Sequence, residues 1–270
     1  MNTQKQPCTN QFSPLGGVRG GLNLPITLPA YALSHKVVNQ LRLYLYLKSV
    51  CSGHFKVDER SVQHACEFLD LKSHKSFYKN LQWLILQKWV TVNSISNNFR
   101  VISFARLCYK LNSTTRTGVL FETKDFKHFR PFLYAAVIAW SIRSKEWRKR
   151  QPASKKGDTR KSMPKSKQKN QLPNRYLAKI LQLDHSTISR YKLAASTAGY
   201  ITTDHRYEDT QLSLKFLYPM QKYLPEEAHL FVAHNNTVQR QLPDVITHTI
   251  HLKHRRNSLP TEMKCRHGPP

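Results

Sequence analysis

The stretch Leu183-Asp184-His185-Ser186-Thr187-Ile188-Ser189-Arg190 gathers three hydroxyls, a carboxylate, an imidazole and a guanidinium into eight residues. Ile188 and Ala195 stand seven apart, which marks the inner side of a helix. Around that helix Ser186 and Arg190 point outward, and Thr187 and Ser189 flank them. Hydroxyls donate and accept hydrogen bonds, and a guanidinium donates in a fork that matches guanine O6 and N7. The chemistry on offer is recognition of base edges. A second face is more basic. It carries Lys72, Lys75, Ser76, Lys79 and Gln82 on a helix whose inner side is Phe77, Leu81, Leu84 and Ile85. Lysines there suit phosphates or base edges. The expected base-reading set is Ser186, Thr187, Ser189 and Arg190, with Lys75, Ser76 and Lys79 from the second face.

Charge says what such faces would meet. The 270 residues hold 43 Lys+Arg against 16 Asp+Glu, a formal net charge of +27. A chain so charged repels itself unless a polyanion is present, and nucleic acid is the first candidate. An anionic membrane surface is the second. The longest apolar run, Phe132 to Ile142, is too short to span a bilayer, and no partnership with a membrane is expected. Ile142 to Arg175 contains thirteen Lys/Arg and two acids. Within it, residues 151–173 are nearly devoid of apolar side chains and are expected to be a disordered basic segment. Its Lys155, Lys156, Arg160 and Lys161 would neutralise phosphates and release counterions. Five scattered cysteines without a C-x-x-C fit a reducing compartment, and the expected location is cytoplasmic, with the nucleoid.

Catalytic signatures are missing. No Gly-x-x-x-x-Gly-Lys phosphate loop is present, and there is no His-apolar-His signature of a strand-nicking enzyme. Carboxylates are too sparse for a two-metal nuclease. His248, His251 and His254, with Cys265 and His267, lack the closed frame of a zinc site. No enzymatic activity, cofactor or metal is expected.

Two series of elements must position the faces. In the first, Ser34 is read as the cap of a helix ended by Gly53, followed by a short strand over 54–57. Asp58 caps a helix with Val62, Ala65, Cys66 and Leu69 inward, and Ser73 caps the next. Two strands follow, Trp89–Val92 and Phe99–Phe104. In the second series, Pro131 opens a helix reaching about Arg150, and Asn174 is read as the cap of another carrying Leu177, Ala178 and Leu181. Leu183 and Asp184 make the turn, Asp184 or Ser186 caps the helix that follows, and Gly199 ends it. Strands are expected over 200–203 and 212–217, with a polar tip at 204–209. The inward positions after Ile188 (Ala195, Ala198, Gly199, Ile201) repeat those after Phe77 (Leu84, Gln87, Lys88, Val90), 111 residues apart, which suggests tandem domains.

The run from Leu177 to Arg190 resembles, without a gap, the helix-turn-helix of bacterial winged-helix regulators. Gln182 departs from a frequent turn glycine, and Lys192 stands where an apolar residue is common. The first series needs one extra residue in its turn. Over about Ser34 to Leu217 the order of elements looks like the tandem winged-helix initiators of plasmid and phage replication. The fold class this implies is mainly α with small β-hairpin wings (α+β): two winged helix-turn-helix domains joined or interrupted by the basic segment. The expected divisions are a flexible segment 1–33, a first domain 34–110, a second domain 126–220 and a flexible, His-rich tail 243–270. Arg100, His205 and Arg206 would be wing contacts to groove or backbone. The resemblance implies double-stranded DNA as partner, origin repeats as target and host replication proteins as associates. A homodimer, a transcriptional regulator with transcription partners, and an RNA-binding module are the other open readings.

Overall fold

The computed structural model describes residues 21–51, 53–93, 98–113, 117–150, 172–223, 231–234 and 236–254. The fold is mixed α+β. The chain divides into two compact units, one within residues 1–129 and 251–270, the other within 130–250.

The first unit opens with strand β1 (Leu22–Pro25) and helix α1 (Thr27–Ser34), followed by α2 (Val38–Val50). Residues 22–33 are therefore built into the fold, where a flexible segment was expected. Leu24, Ile26, Leu28 and Leu33 are all but inaccessible to solvent. Ser34 does not cap α2. Its hydroxyl donates to the carbonyl of Tyr31 at 3.1 Å, one turn back, and Lys36 then turns left-handed (φ 58°) before α2 begins.

Strand β2 (His54–Phe55) leads into α3 (Glu59–Phe68), α4 (His74–Leu86), β3 (Val90–Asn93) and β4 (Asn98–Val101). Asp58 caps α3 by accepting from Ser61 N–H at 2.7 Å, and the Ser61 hydroxyl oxygen accepts from Asp58 N–H at 3.1 Å. Ser73 caps α4. The small antiparallel sheet runs β2-β4-β3. Its core is Leu41, Tyr44 and Leu45 of α2 with Val62, Ala65 and Cys66 of α3 and Phe77, Leu81 and Leu84 of α4. Tyr44 donates its hydroxyl proton to Ile102 O at 2.9 Å. The second expected strand is cut short at Val101, because Ser103 caps a further helix, α5 (Phe104–Lys110). Strand β5 (Thr117–Phe121) pairs with β1 and, on its other edge, with β9 (Leu252–His254).

The second unit is built on α6 (Phe129–Arg150), which belongs to it from Arg130 onward. Pro131 is its third residue, still in the first turn, where backbone N–H groups have no partner within the helix to lose. Residues 151–171 lie outside the described residues. Helices α7 (Asn174–Leu181) and α8 (His185–Thr197) follow. Asn174 is the first residue of α7, not its cap. Pro173 holds the cap position, and the Asn174 amide instead donates to Ser189 Oγ at 3.4 Å.

Strand β6 (Ile201–Ser213) then runs unbroken for 13 residues. The expected turn at 204–209 is absent. That stretch offers no Gly or Pro, and β8 (Thr237–His248) pairs along it, with two register shifts absorbing the extra residues. A short 3₁₀ turn, α9 (Leu217–Tyr223) and β7 (Phe231–His234) lie between, and the sheet runs β6-β8-β7. The unit thus extends past 220, and residues 243–254, expected as the start of a flexible tail, include the end of β8 and all of β9. Val245 and Ile246 are buried and hold the strand to the core.

Candidate nucleic-acid interface

The two sequence-matched helices occupy the same local frame. Both α4 and α8 have 13 residues and start 111 residues apart (185 − 74). Both end in the same way. Lys88 (φ 55°) and Gly199 (φ 74°) are left-handed. Trp89 N–H donates to Leu84 O at 2.8 Å, and Tyr200 N–H to Ala195 O at 3.0 Å. The helices before them match too. Asp70 and Gln182 are left-handed, Leu71 N–H donates to Cys66 O, and Leu183 N–H to Ala178 O. The cap Ser73 stands three positions after Asp70, and the cap Asp184 two positions after Gln182. The first unit therefore does carry one additional turn residue.

Inner and outer sides separate cleanly on α8. Ile188 and Ala195 are fully buried, while Ser186, Ser189 and Arg190 are exposed and Thr187 is half-buried. Asp184 organises the helix start. It accepts from Thr187 N–H at 2.8 Å and from the hydroxyls of Ser186 and Thr187 at 2.6 Å each. Those bonds, the Ser186 hydroxyl first, hold the Asp184 carboxyl well below the ordinary carboxylate range. Thr187 Oγ1 accepts in turn from the Arg190 guanidinium at 3.0 Å. Ser189 is committed elsewhere: its hydroxyl donates to His185 O at 3.2 Å and accepts from Asn174 of α7.

On α4 the equivalents of Ser186, Thr187 and Arg190 are Lys75, Ser76 and Lys79. Lys75 and Lys79 are exposed, and Ser76 is half-buried with its hydroxyl 3.2 Å from that of Ser73. Tyr78, half exposed, stands at the position of Ser189. No carboxylate caps this helix. Leu86 is well exposed, whereas Trp83 sets its ring edge against Trp89.

The proposed wing residues sit differently from expectation. Arg100 is exposed on the central strand β4, paired with His54 and Thr91. His205 and Arg206 lie within β6, not at a tip. His205 Nδ1 donates to Asp244 Oδ1 at 2.8 Å, so its ring is partly tied inward, while Arg206 is exposed. Lys155, Lys156, Arg160 and Lys161 lie outside the described residues.

Nothing in the residue pattern marked the partner of Lys192. This inward-facing lysine of α8 is 7% exposed and forms an ion pair with Asp244 of β8, itself 8% exposed. Burial pushes the Asp244 carboxyl up, but hydrogen bonds from Lys192 and His205 outweigh it and leave it below its ordinary value. The ion pair ties α8 to the β6–β8 ribbon. Its only sequence signal was a lysine one turn after Ile188 on a buried side, which demands an acid from elsewhere.

Among the described residues, no helix is long and apolar enough to cross a membrane, and no group of three or more His, Cys, Asp or Glu gathers as a metal site would need. The chain matches no protein-family model, no curated protein and no solved structure.

Proposed function

We propose that this chain is a sequence-specific double-stranded DNA-binding protein with two winged helix-turn-helix units, and that it initiates replication of a plasmid- or phage-like element. The observation that carries the reading is the pair of helices α4 and α8. Each is preceded by a helix and a left-handed turn, followed by a left-handed end and a strand, and buried on one side only. A helix held this way by its neighbour can place its N-terminal face in the major groove. The free face of α8 carries hydroxyls and a guanidinium, and the net charge of +27 supplies sequence-independent attraction to phosphates. Two such units in one polypeptide fit repeated sites, as a replication origin provides. No catalytic step is part of this reading.

Selection of bound duplexes from a random pool, at moderate and high salt, tests it. An enriched motif that survives high salt is expected, with repeats favouring the initiator role. A single unrepeated site would favour a transcriptional regulator. Binding that enriches nothing and vanishes at high salt would overturn the sequence-reading claim, and competition by structured RNA would then be measured.

A further inference from the structure

Hydroxyl protons decide what the face of α8 can read, and the hydrogen bonds around Asp184 fix where those protons are. An ionised carboxylate only accepts. The carboxyl of Asp184 is held far towards its ionised form by the bonds it receives. The Ser186 and Thr187 hydroxyls, each 2.6 Å from it, must therefore donate to it. A hydroxyl has a single proton. With that proton spent, the outward side of Ser186 presents lone pairs alone, and Thr187 Oγ1 can only accept from Arg190. Arg190 gives one N–H to Thr187 and keeps enough others for a bidentate contact.

Resting on the reading above, we propose that Asp184 is a specificity-determining positioning residue. It makes Ser186 an acceptor-only contact and, through Thr187, orients Arg190 as a donor-only contact. The base pattern follows. Arg190 takes guanine, whose major-groove edge offers O6 and N7 acceptors. Ser186 takes a base with a major-groove amino group, cytosine N4 or adenine N6. It rejects thymine O4, which faces it with another acceptor. The two side chains are one helical turn apart on one face, about 6 Å along the axis, so the two bases lie within about two base steps. The first unit has no such device, because Ser73 and Ser76 share hydroxyl bonds with no carboxylate to fix their direction.

The test is random-pool selection with the full chain and four variants. Asp184→Gly removes both acceptor oxygens, is well tolerated at a helix cap and frees the Ser186 proton. Thr187→Val removes the link to Arg190 at constant shape. Ser186→Ala and Arg190→Ala locate the two positions in the motif. The wild type should enrich a guanine that Arg190→Ala loses and a cytosine or adenine that Ser186→Ala loses. Asp184→Gly should admit thymine at the second position, with preference there falling about fivefold or more, and Thr187→Val should lower the guanine preference about tenfold while sparing the second position. Thermal melting confirms that each variant folds. A thymine at the Ser186-dependent position in the wild type, or an unchanged motif in folded Asp184→Gly and Thr187→Val, overturns the proposal and leaves the sequence-reading function standing. No motif in the wild type would overturn that function and this proposal together.

Discussion

Replacing Lys192 by methionine removes one half of a buried ion pair and leaves Asp244 without its main partner. Both side chains are about 9% exposed, so water cannot replace the lost contact. A buried charge stripped of its partner costs about 3–5 kcal/mol, far more than an exposed pair would. In a unit of roughly 120 residues, melting temperature falls by about 4 °C per kcal/mol, so a drop of about 12–20 °C is expected. Asp244→Leu alone should do similar damage. The double variant should recover most of it, because two apolar groups leave no charge behind. The assay is chemical and thermal denaturation of all four proteins, read as a double-mutant cycle. The wild type also has a predictable acid limb. The folded-state value of Asp244 lies below its ordinary one, so its stabilisation is fully present above about pH 4 and is lost as pH falls through the folded value. The limb should be missing from the double variant. Near-neutral single variants, or a coupling energy near zero, would refute the claim that this pair anchors α8.

Arg190→Ala should relax sequence preference at one position while leaving affinity for random duplex nearly intact, checked by binding to cognate and scrambled sites. Neutralising Lys155, Lys156, Arg160 and Lys161 together should weaken binding to all duplexes alike and flatten the salt dependence by about 3–4 in the log–log slope, checked by titration across salt concentrations. Gln182→Gly should stabilise the second unit by about 1 kcal/mol, because a left-handed residue (φ 53°) with a side chain is strained where glycine is not; denaturant midpoints report it. Gly199→Ala should cost about 1 kcal/mol for the converse reason, at φ 74° with open space around it.

What could be read from the sequence was local. Asp58, Ser73 and Asp184 announce helix starts because a short acceptor side chain can reach an N–H three residues on. The inward series from Phe77 and Ile188 repeats because one helix-end geometry recurs at one spacing. What could not be read was paired over long distance. The β6–β8 ribbon joins residues 24 (Ser213 with Thr237) to 47 (Ile201 with His248) positions apart, and its polar strand carries no apolar alternation to mark it. Lys192 finds Asp244 52 residues on. Strand β1 was hidden by its glycine-rich neighbourhood, although Leu22, Leu24, Ile26 and Leu28 alternate as a strand face would. Its partners lie at 117–121 and, beyond β5, at 252–254, so only the assembled sheet gives the pattern meaning. At the interface, residue types were legible and proton directions were not. Ser189 looked as available as Ser186, yet its hydroxyl is taken by His185 O and Asn174.

The two helices share a frame but not an electrostatic sign at their starts. A helix N-terminus bears a partial positive charge that attracts phosphate. At α4 the cap is the neutral Ser73, and Lys75 and Lys79 add to that attraction. At α8 the cap is an ionised carboxylate, which offsets the helix charge and repels phosphate. A carboxylate is a costly choice for a helix meant only to hold a DNA backbone. It is a useful one for a helix that must keep hydroxyl protons pointing away from the groove. On the proposed reading, α4 therefore leans more on phosphates and α8 more on base edges, and the residue that sets this difference in emphasis is the one standing just before each helix.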